Sequence, residues 1–173
     1  MDEFIEESDS EKIARNFPTL VEHRDYEITS ECTPEYNCLS WALGIDWGFY
    51  DPLIRHAGYT WFPGVEREWT SGAIRKIFAK LGYTQESENT DIEAGFQKVA
   101  FYLEEDGTPN HFARQLSNGK WTSKLGSLND IEHISAECLE PAYGSIQIVL
   151  KRKIDTASEI INSPQPIISD SQP

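Results

Sequence analysis

The chain has 173 residues, of which 39% are hydrophobic and 12% aromatic, so it can bury the core of one domain without metals or disulfides. Its formal net charge of −14 disfavours direct binding to nucleic acid or to an anionic membrane. Two explanations of this charge stay open. It either keeps the protein soluble, or it imitates nucleic acid on a surface that binds a basic protein.

Both ends of the chain are predicted to lie outside the folded body. Residues 1–12 form an acidic segment with little to bury, which predicts a disordered tail. Residues 154–173 combine Pro and Ser without a regular period, which predicts a flexible or docked C-terminal tail. Residues 13–153 have the composition of a single domain.

Nothing in the sequence predicts a membrane segment or a disulfide framework. The acidic N-terminus lacks the apolar stretch of a signal peptide, and no apolar run is long enough to cross a bilayer. The three Cys residues are an odd number. We therefore expect a cytoplasmic protein, and export by a route without a signal sequence stays open.

Two helices are predicted in the first half of the body. Residues 38–43 form a short helix candidate, with Asn37 placed to cap it and Gly44 placed to end it. Residues 70–82 show apolar side chains at helical spacing and predict a second helix. Residues 46–69, rich in aromatics, Gly and Pro, predict a long ordered loop of the kind that is often functional.

Alternating apolar side chains predict strands in the second half of the body. They lie at residues 98–103, 111–116, 120–125 and 144–151. The Asn-Gly pair between the second and third of these strands predicts a hairpin. A short helical turn is expected to begin at Asn129 or Asp130. This order of elements predicts an α+β fold, with the helices covering one face of a small antiparallel sheet.

The best candidate for a catalytic nucleophile is the thiol of Cys38. A Cys nucleophile needs a field that stabilises its thiolate, and the first turn of a helix supplies one. Cys32 and Cys138 lack that setting. His111 begins a strand, where its ring can be oriented, so it is the best candidate for the base. The alternative is that Cys38 is a small buried apolar residue and His111 a strand-end residue bonded to a loop.

This helix-start Cys and strand-start His resemble the papain-like superfamily, in particular its compact bacterial branch of cell-wall peptidases and amidases. The resemblance lies in the segment Cys38-Leu39-Ser40-Trp41-Ala42 and in the hairpin of residues 110–121. It implies that a helix headed by the Cys packs on a small antiparallel sheet. It also implies that a residue about twelve positions after the His lies beside it, which is Ser123 here.

A closer resemblance, over residues 34–152, is to a family of bacterial proteins without an assigned reaction. The shared segments are Tyr36-Asn37-Cys38, Trp41-Ala42, Trp61-Phe62-Pro63-Gly64, residues 111–126, residues 130–133 and Tyr143-Gly144. This match covers most of the body. It identifies a family more than an activity.

The papain-like resemblance implies a cysteine hydrolase or acyltransferase, of the peptidase or amidase type, with a protein or peptide substrate. Cys38 would attack the carbonyl group and His111 would carry the proton. Ser123 or Asp130 would orient the imidazole. Ser123 is a weaker orienting group than the Asn, Asp or His usual in that superfamily.

An oxyanion hole would use the backbone N–H of Cys38 together with a side chain. The candidates for that side chain are Tyr36 and Asn37. Asn37 also marks a departure from the cell-wall enzymes, in which an Asp commonly precedes the Cys.

Further polar and aromatic residues are candidates for the surroundings of the site. Asp130 and His133 form a polar cluster with two interpretations: either Asn129 or Asp130 caps a helical turn, or one of Asp130 and His133 is the third member of the site. Trp47, Trp61, Lys124 and His133 are the candidates for a substrate groove, with Lys124 as an anion contact, although Trp more often packs in a core. The sequence lacks metal-ligand spacing and phosphate-binding motifs, so neither a metal nor a cofactor is expected.

The alternative function keeps this fold without catalysis. The acidic surplus and the weak third residue are consistent with a binding or inhibitory protein, for example in conflict between bacteria and their viruses or plasmids. Its partner would be a basic protein. A third interpretation is an intracellular toxin or modifying enzyme that acts on a protein or a nucleotide-linked substrate.

Overall fold

The computed structural model describes residues 6–23 and 25–155, so the predicted C-terminal tail lies outside the described residues from position 156. The helices are α1 (Asp9–Asn16), α2 (Pro18–His23), α3 (Cys38–Ala42) and α4 (Ser71–Lys80), and Ala136–Leu139 is a 3₁₀ helix. None of these helices is long and apolar enough to cross a membrane. The strands are β1 (Tyr26–Ile28), β2 (Phe49–Tyr50), β3 (Tyr59–Thr60), β4 (Gln85–Glu86), β5 (Phe96–Leu103), β6 (Pro109–Gln115), β7 (Trp121–Lys124), β8 (Asp130–His133) and β9 (Ser145–Lys153).

Seven of the strands form one antiparallel sheet, in the order β1-β8-β7-β6-β5-β9-β4. The two remaining strands, β2 and β3, form a short parallel pair inside the segment predicted as a long loop. The molecule is therefore an α+β domain built on a mainly antiparallel sheet, as the sequence predicted.

The alternate side chains of β5 point into two separate cores, because successive residues of a strand face opposite sides of the sheet. Val99 and Phe101 pack with α3 and α4 on one side, here called the α3 face. Ala100 and Tyr102 pack with α1, α2 and the 3₁₀ helix on the other side, here called the α1 face. Helices thus cover both faces, and the prediction of a single covered face is wrong.

Helix α1 explains the second covered face. Ser8 and Glu11 form a capping box at its start, with Glu11 accepting the Ser8 N–H at 2.8 Å. Ile13 is completely buried in the core of the α1 face. The ordered chain therefore begins before the predicted domain boundary at residue 13, because acidic residues there start a helix.

The predicted hairpin is formed by β6 and β7, with Gly119 in the left-handed conformation at its turn. The pairing of the two strands stops at Arg114 opposite Thr122. Toward the start of β6, His111 and Phe112 pair with β5 and have no paired residue on β7. We call this unpaired stretch the β6–β7 gap.

Residues 130–133 form the strand β8 where the sequence predicted a helical turn. This strand lies between β7 and β1 and pairs with both. Pairing satisfies its backbone groups, so no helix cap is required there. Its Ile131 is completely buried in the core of the α1 face. The alternation of buried Ile131 and His133 is the pattern of a strand.

Candidate functional site

Helix α3 holds Cys38 at its first position, above β6 and β7. Asn37 caps the helix as predicted, and its side-chain oxygen accepts the N–H of Ser40 at 3.1 Å. The indole N–H of Trp41 donates to the hydroxyl of Thr122 on β7 at 2.9 Å. These two contacts fix the start of the helix beside the β6–β7 gap.

The sulfur of Cys38 lies in a pocket of backbone N–H groups. The backbone N–H groups of Phe112, Leu39 and Cys38 itself each lower the pKa of the thiol. Burial has the larger and opposite effect, and the pKa of Cys38 is raised to about 11. The residue keeps partial contact with solvent. At neutral pH the group is therefore a protonated thiol, placed near N–H groups that would stabilise a thiolate.

His111 is completely buried on β6. Its Nε2 lies 2.9 Å from the hydroxyl of Ser123, and its Nδ1 has no hydrogen-bond partner among the residues that the structure describes. The ring stacks against Tyr143, with centroids 4.1 Å apart. Burial, and then the charge of His133, hold the pKa of His111 well below its usual range. The imidazole is therefore neutral at neutral pH.

Ser123 links His111 to a second buried histidine. The Ser123 hydroxyl lies 2.8 Å from Nε2 of His133, and Nδ1 of His133 lies 2.8 Å from the carbonyl of Ser135. The thiol of Cys138 donates to the same carbonyl at 2.9 Å. Burial lowers the pKa of His133 to about 4, so this ring is neutral as well. The three side chains form a continuous hydrogen-bonded row across β6, β7 and β8.

Cys38 and His111 approach the β6–β7 gap from opposite faces of the sheet. Cys38 packs against the core of the α3 face. The ring of His111 contacts Tyr102 and Tyr143, which belong to the α1 face. The N–H of Phe112, in the peptide group that follows His111, nevertheless lowers the pKa of the Cys38 thiol. Among the described residues the ring of His111 is bonded to Ser123 and not to Cys38, so the two candidates are neighbours through the Phe112 peptide and make no hydrogen bond to each other.

Asp130 lies away from His111 and binds another candidate residue. Its carboxylate accepts the hydroxyl of Tyr36 at 2.6 Å. Burial raises the pKa of Asp130, against the lowering effect of the Tyr36 hydrogen bond. Of the two residues predicted to orient the imidazole, the structure thus brings Ser123 to His111 and pairs Asp130 with Tyr36.

The two side chains predicted for an oxyanion hole are engaged elsewhere. The Tyr36 hydroxyl is donated to Asp130, and the Asn37 amide donates to the carbonyl of Tyr50 at 2.8 Å. The donors that surround the Cys38 sulfur are backbone N–H groups instead, including that of Phe112. The helix start and the unpaired edge of β6 supply them.

Lys124 and His133, predicted to line a groove, are buried. The Lys124 ammonium donates to the carbonyls of Gly126 and Leu128 at 2.8 and 2.5 Å, so it holds a turn of its own chain. Burial lowers the pKa of Lys124, and the charge of Asp130 opposes this effect. Neither residue lies at a surface where a substrate could contact it.

The two Trp residues predicted as groove walls also pack inward. Trp61 is buried in the core of the α3 face, and its N–H donates to the carbonyl of Glu66 at 2.9 Å. Trp47 is half-buried, and its indole nitrogen has no hydrogen-bond partner among the described residues. The long loop is thus anchored by its aromatic side chains, which is the usual role of Trp.

Sequence reasoning missed the neighbours that complete this arrangement. Tyr143, which covers His111, lies on a loop after the 3₁₀ helix, and no local pattern places it there. The bond from Ser123 to His133 depends on the register of β7 against β8, in which Ser123 opposes Ile131. Correct assignment of residues 130–133 as a strand would have put His133 on the same face as Ser123.

The two candidate groups are a neutral thiol and a neutral imidazole. Such a pair exchanges a proton during attack on a carbonyl carbon only when the two groups are within hydrogen-bond reach, as the hydroxyl and the imidazole are in serine hydrolases. Within the part of the chain that the structure describes, no group of three or more His, Cys, Asp or Glu side chains could hold a metal ion.

The comparison with family models gives one match. Residues 27–151 match the domain of unknown function DUF7689. Since this match covers most of the chain, the protein belongs to the DUF7689 family. Neither the curated proteins nor the solved structures contain a match to the chain.

Proposed function

We propose that the protein is a cysteine hydrolase or acyltransferase of the peptidase or amidase type, with a papain-like arrangement of Cys38 and His111. The observation that carries this proposal is the buried Nδ1 of His111, which has no partner among the described residues while Nε2 is held by Ser123. A buried unpaired acceptor is costly, so it needs a role. Beside the gap that holds the Cys38 sulfur, that role is to accept the thiol proton.

The chemical step follows from the protonation states. The Cys38 sulfur attacks the carbonyl carbon of the substrate while its proton passes to Nδ1 of His111. The S–C bond forms, and the negative charge on the carbonyl oxygen is stabilised by backbone N–H groups. Collapse of the intermediate breaks the bond to the leaving amine or alkoxide, which takes the proton from His111. Water or a second nucleophile then removes the acyl group from Cys38.

The substrate we propose is a protein or a peptide, with no cofactor. The partial exposure of Cys38 favours attack on a chain that approaches from outside. We place the reaction in the cytoplasm, because Cys32, Cys38 and Cys138 are all free thiols and a reducing compartment keeps them so.

The test is acylation of the intact protein by an activated ester, p-nitrophenyl acetate, followed by peptide mass mapping. Alkylation of the resting thiol is a poor measure, because burial raises the pKa of Cys38 to about 11. We expect the acetyl group on Cys38, with release of p-nitrophenolate. His111→Gln should slow this acylation about 100-fold, the usual contribution of a positioned base.

Cys32 is the internal control for this experiment, since it is an exposed thiol whose hydrogen-bond partners are the side chains of Asp9 and Asn129 and not a histidine. Its acylation rate should be the same in the wild type and in His111→Gln. Cys38→Ser should abolish the site-specific adduct. Acylation of Cys38 no faster than that of Cys32 would overturn the proposal.

A second candidate function is the binding role without catalysis. The stacking of Tyr143 on His111, together with the buried state of that base, favours it because both restrict the approach of a substrate. The partner would be a basic protein, given the net charge of −14. Cys38→Ala separates the two functions, since it should leave affinity for a basic partner unchanged and abolish acyl transfer.

A further inference from the structure

We propose that His133 is a positioning residue that acts through Ser123 to fix which nitrogen of His111 carries the proton. The inference rests on the proposed function for its chemical consequence, and on the buried hydrogen-bonded row for its geometry. Neither Ser123 nor His133 has to touch a substrate. Their effect is to keep Nδ1 of His111 unprotonated and to hold the proton on Nε2.

The Ser135 carbonyl determines which atom donates in each hydrogen bond of the row. A carbonyl oxygen only accepts hydrogen bonds, so Nδ1 of His133, 2.8 Å away, must carry its proton. Because His133 is neutral at neutral pH, its Nε2 then has a lone pair and can only accept. The sulfur of Cys138 lies 3.5 Å from Nδ1 of His133, but its one proton is donated to the Ser135 carbonyl at 2.9 Å, so it does not reverse the assignment.

The assignment at His133 then fixes the proton of the Ser123 hydroxyl. This hydroxyl has one proton, and the acceptor Nε2 of His133 lies 2.8 Å from its oxygen. Once that proton is donated to His133, the Ser123 oxygen can only accept from Nε2 of His111 at 2.9 Å. Nε2 of His111 therefore holds the proton and Nδ1 holds the lone pair.

This row makes Ser123 a stronger orienting group than an isolated serine. A serine hydroxyl alone can either donate to a neighbouring imidazole or accept from it, and so selects neither tautomer. Here the acceptor behind it removes that choice, because a reversed Ser123 proton would leave two lone pairs facing each other in a buried site. His133 thus makes Ser123 an acceptor for the N–H of His111, a role that the side-chain oxygen of an Asn or Asp fills without help.

The experiment measures the histidine tautomers directly by ¹⁵N NMR of the full-length protein with labelled histidine, at neutral pH. The chain has four His residues, and His111→Gln identifies the His111 signals by their loss. In the wild type we expect His111 to have a proton on Nε2 and a lone pair on Nδ1, and His133 to have the reverse. A wild-type His111 with its proton on Nδ1 would overturn the inference without any change to His133.

Two substitutions separate positioning from packing. His133→Phe keeps a ring of similar size and removes the acceptor, so His111 should become a mixture of both tautomers. His133→Gln can donate its amide to Ser135 and accept from Ser123, so it should restore the single wild-type tautomer. His56→Gln, at an exposed histidine, is the matched control and should change nothing.

The acylation rate of Cys38 then links the tautomer to the chemistry. In His133→Phe it should fall by the same factor as the fraction of His111 with a lone pair on Nδ1, and recover in His133→Gln. An unchanged tautomer in a folded His133→Phe protein would refute the inference. Absence of acylation in the wild type would refute the proposed function instead, and would leave the tautomer measurement valid.

Discussion

The ring of His111 lies parallel to the ring of Tyr143, with their planes 7° apart. This stack covers the imidazole on the side that the 3₁₀ helix and its following loop approach. Burial also raises the pKa of Tyr143, and an ionised Cys38 would raise it further, so the phenol stays protonated next to His111. Tyr143 thus keeps water away from His111 without competing for its proton.

Tyr143→Ala should raise the pKa of His111 toward its ordinary value. Burial is the main cause that lowers this pKa, and removal of the ring admits water to the imidazole. Tyr143→Phe keeps the stack and should leave the pKa of His111 near that of the wild type. The pKa can be followed by NMR titration of His111, and an unchanged pKa in Tyr143→Ala would show that other groups bury the imidazole.

Gly144→Ala should destabilise the protein more than Gly107→Ala. Both glycines have left-handed backbone angles, with φ of 83° and 85°. A Cβ at Gly144 would lie 2.3 Å from the carbonyl oxygen of Leu103, whereas one at Gly107 meets no atom within 4 Å. Gly107→Ala therefore measures the backbone penalty alone, of about 1 kcal/mol, and Gly144→Ala adds a steric penalty of about 2 kcal/mol.

Urea denaturation gives both free energies of unfolding for these glycine variants. Since Gly144 follows Tyr143, its substitution should also disturb the stack on His111. Equal destabilisation by the two substitutions would mean that the Leu103 contact relaxes freely.

His133 should make the stability of the fold depend on pH in the acidic range. Its pKa is about 4 in the folded protein and about 6.5 when unfolded, so the unfolded chain binds more protons between these values. Its contribution to the free energy of unfolding is therefore complete above pH 6.5 and lost as the pH falls. The loss between pH 7 and pH 4 should be about 3 kcal/mol.

The comparison of the wild type with His133→Gln isolates this contribution, because Gln does not titrate. The difference in unfolding free energy should shrink at acidic pH, at which the wild type loses stability that the variant keeps. A constant difference between the wild type and His133→Gln would contradict the lowered pKa of His133.

Arg114→Met should leave the fold as stable as the wild type or more stable, by about 1 to 3 kcal/mol. The Arg114 guanidinium is completely buried, and its three nitrogens have no hydrogen-bond partner among the described residues. Its face lies over the ring of Trp41 at 5.4 Å. Burial lowers the pKa of Arg114 to about 10, which reflects the cost of holding this charge inside the protein.

Met fills the same volume without that charge, so chemical denaturation of Arg114→Met gives the net cost directly. Ala100→Gly, on the opposite face of the sheet, serves as a comparison that removes apolar volume and should destabilise. A large loss of stability in Arg114→Met would show that the guanidinium binds solvent or an anion inside the folded protein.

Local sequence patterns predicted the elements that depend on interactions between residues close together in the sequence. The cap at Asn37, the helix of residues 71–80 and the Asn118-Gly119 hairpin all follow from side chains within a few positions of each other. The α+β class followed from their order. The strand at residues 130–133 was mistaken for a turn, because its Asp suggests a cap and its partners lie far away in sequence.

The candidate site likewise contains contacts that the sequence predicted and contacts that it did not. The position of Cys38 at a helix start and of Ser123 beside His111 depend on one helix and one hairpin, so the sequence was sufficient for both. The contacts of Tyr143 and His133 depend on long-range packing across the sheet. The aromatic loop failed as a predictor of a groove, since nothing local distinguishes a Trp that anchors a loop from one that lines a surface.

The relative position of the two candidate residues should depend on temperature through both cores of the sheet. Cys38 is held by one core and His111 by the other, and β6 is the element that they share. Loosening of either core would shift one partner while the other stayed in place. The proposed thiol chemistry of Cys38 should therefore be lost on heating before the sheet melts, with an inactivation temperature below the midpoint of unfolding.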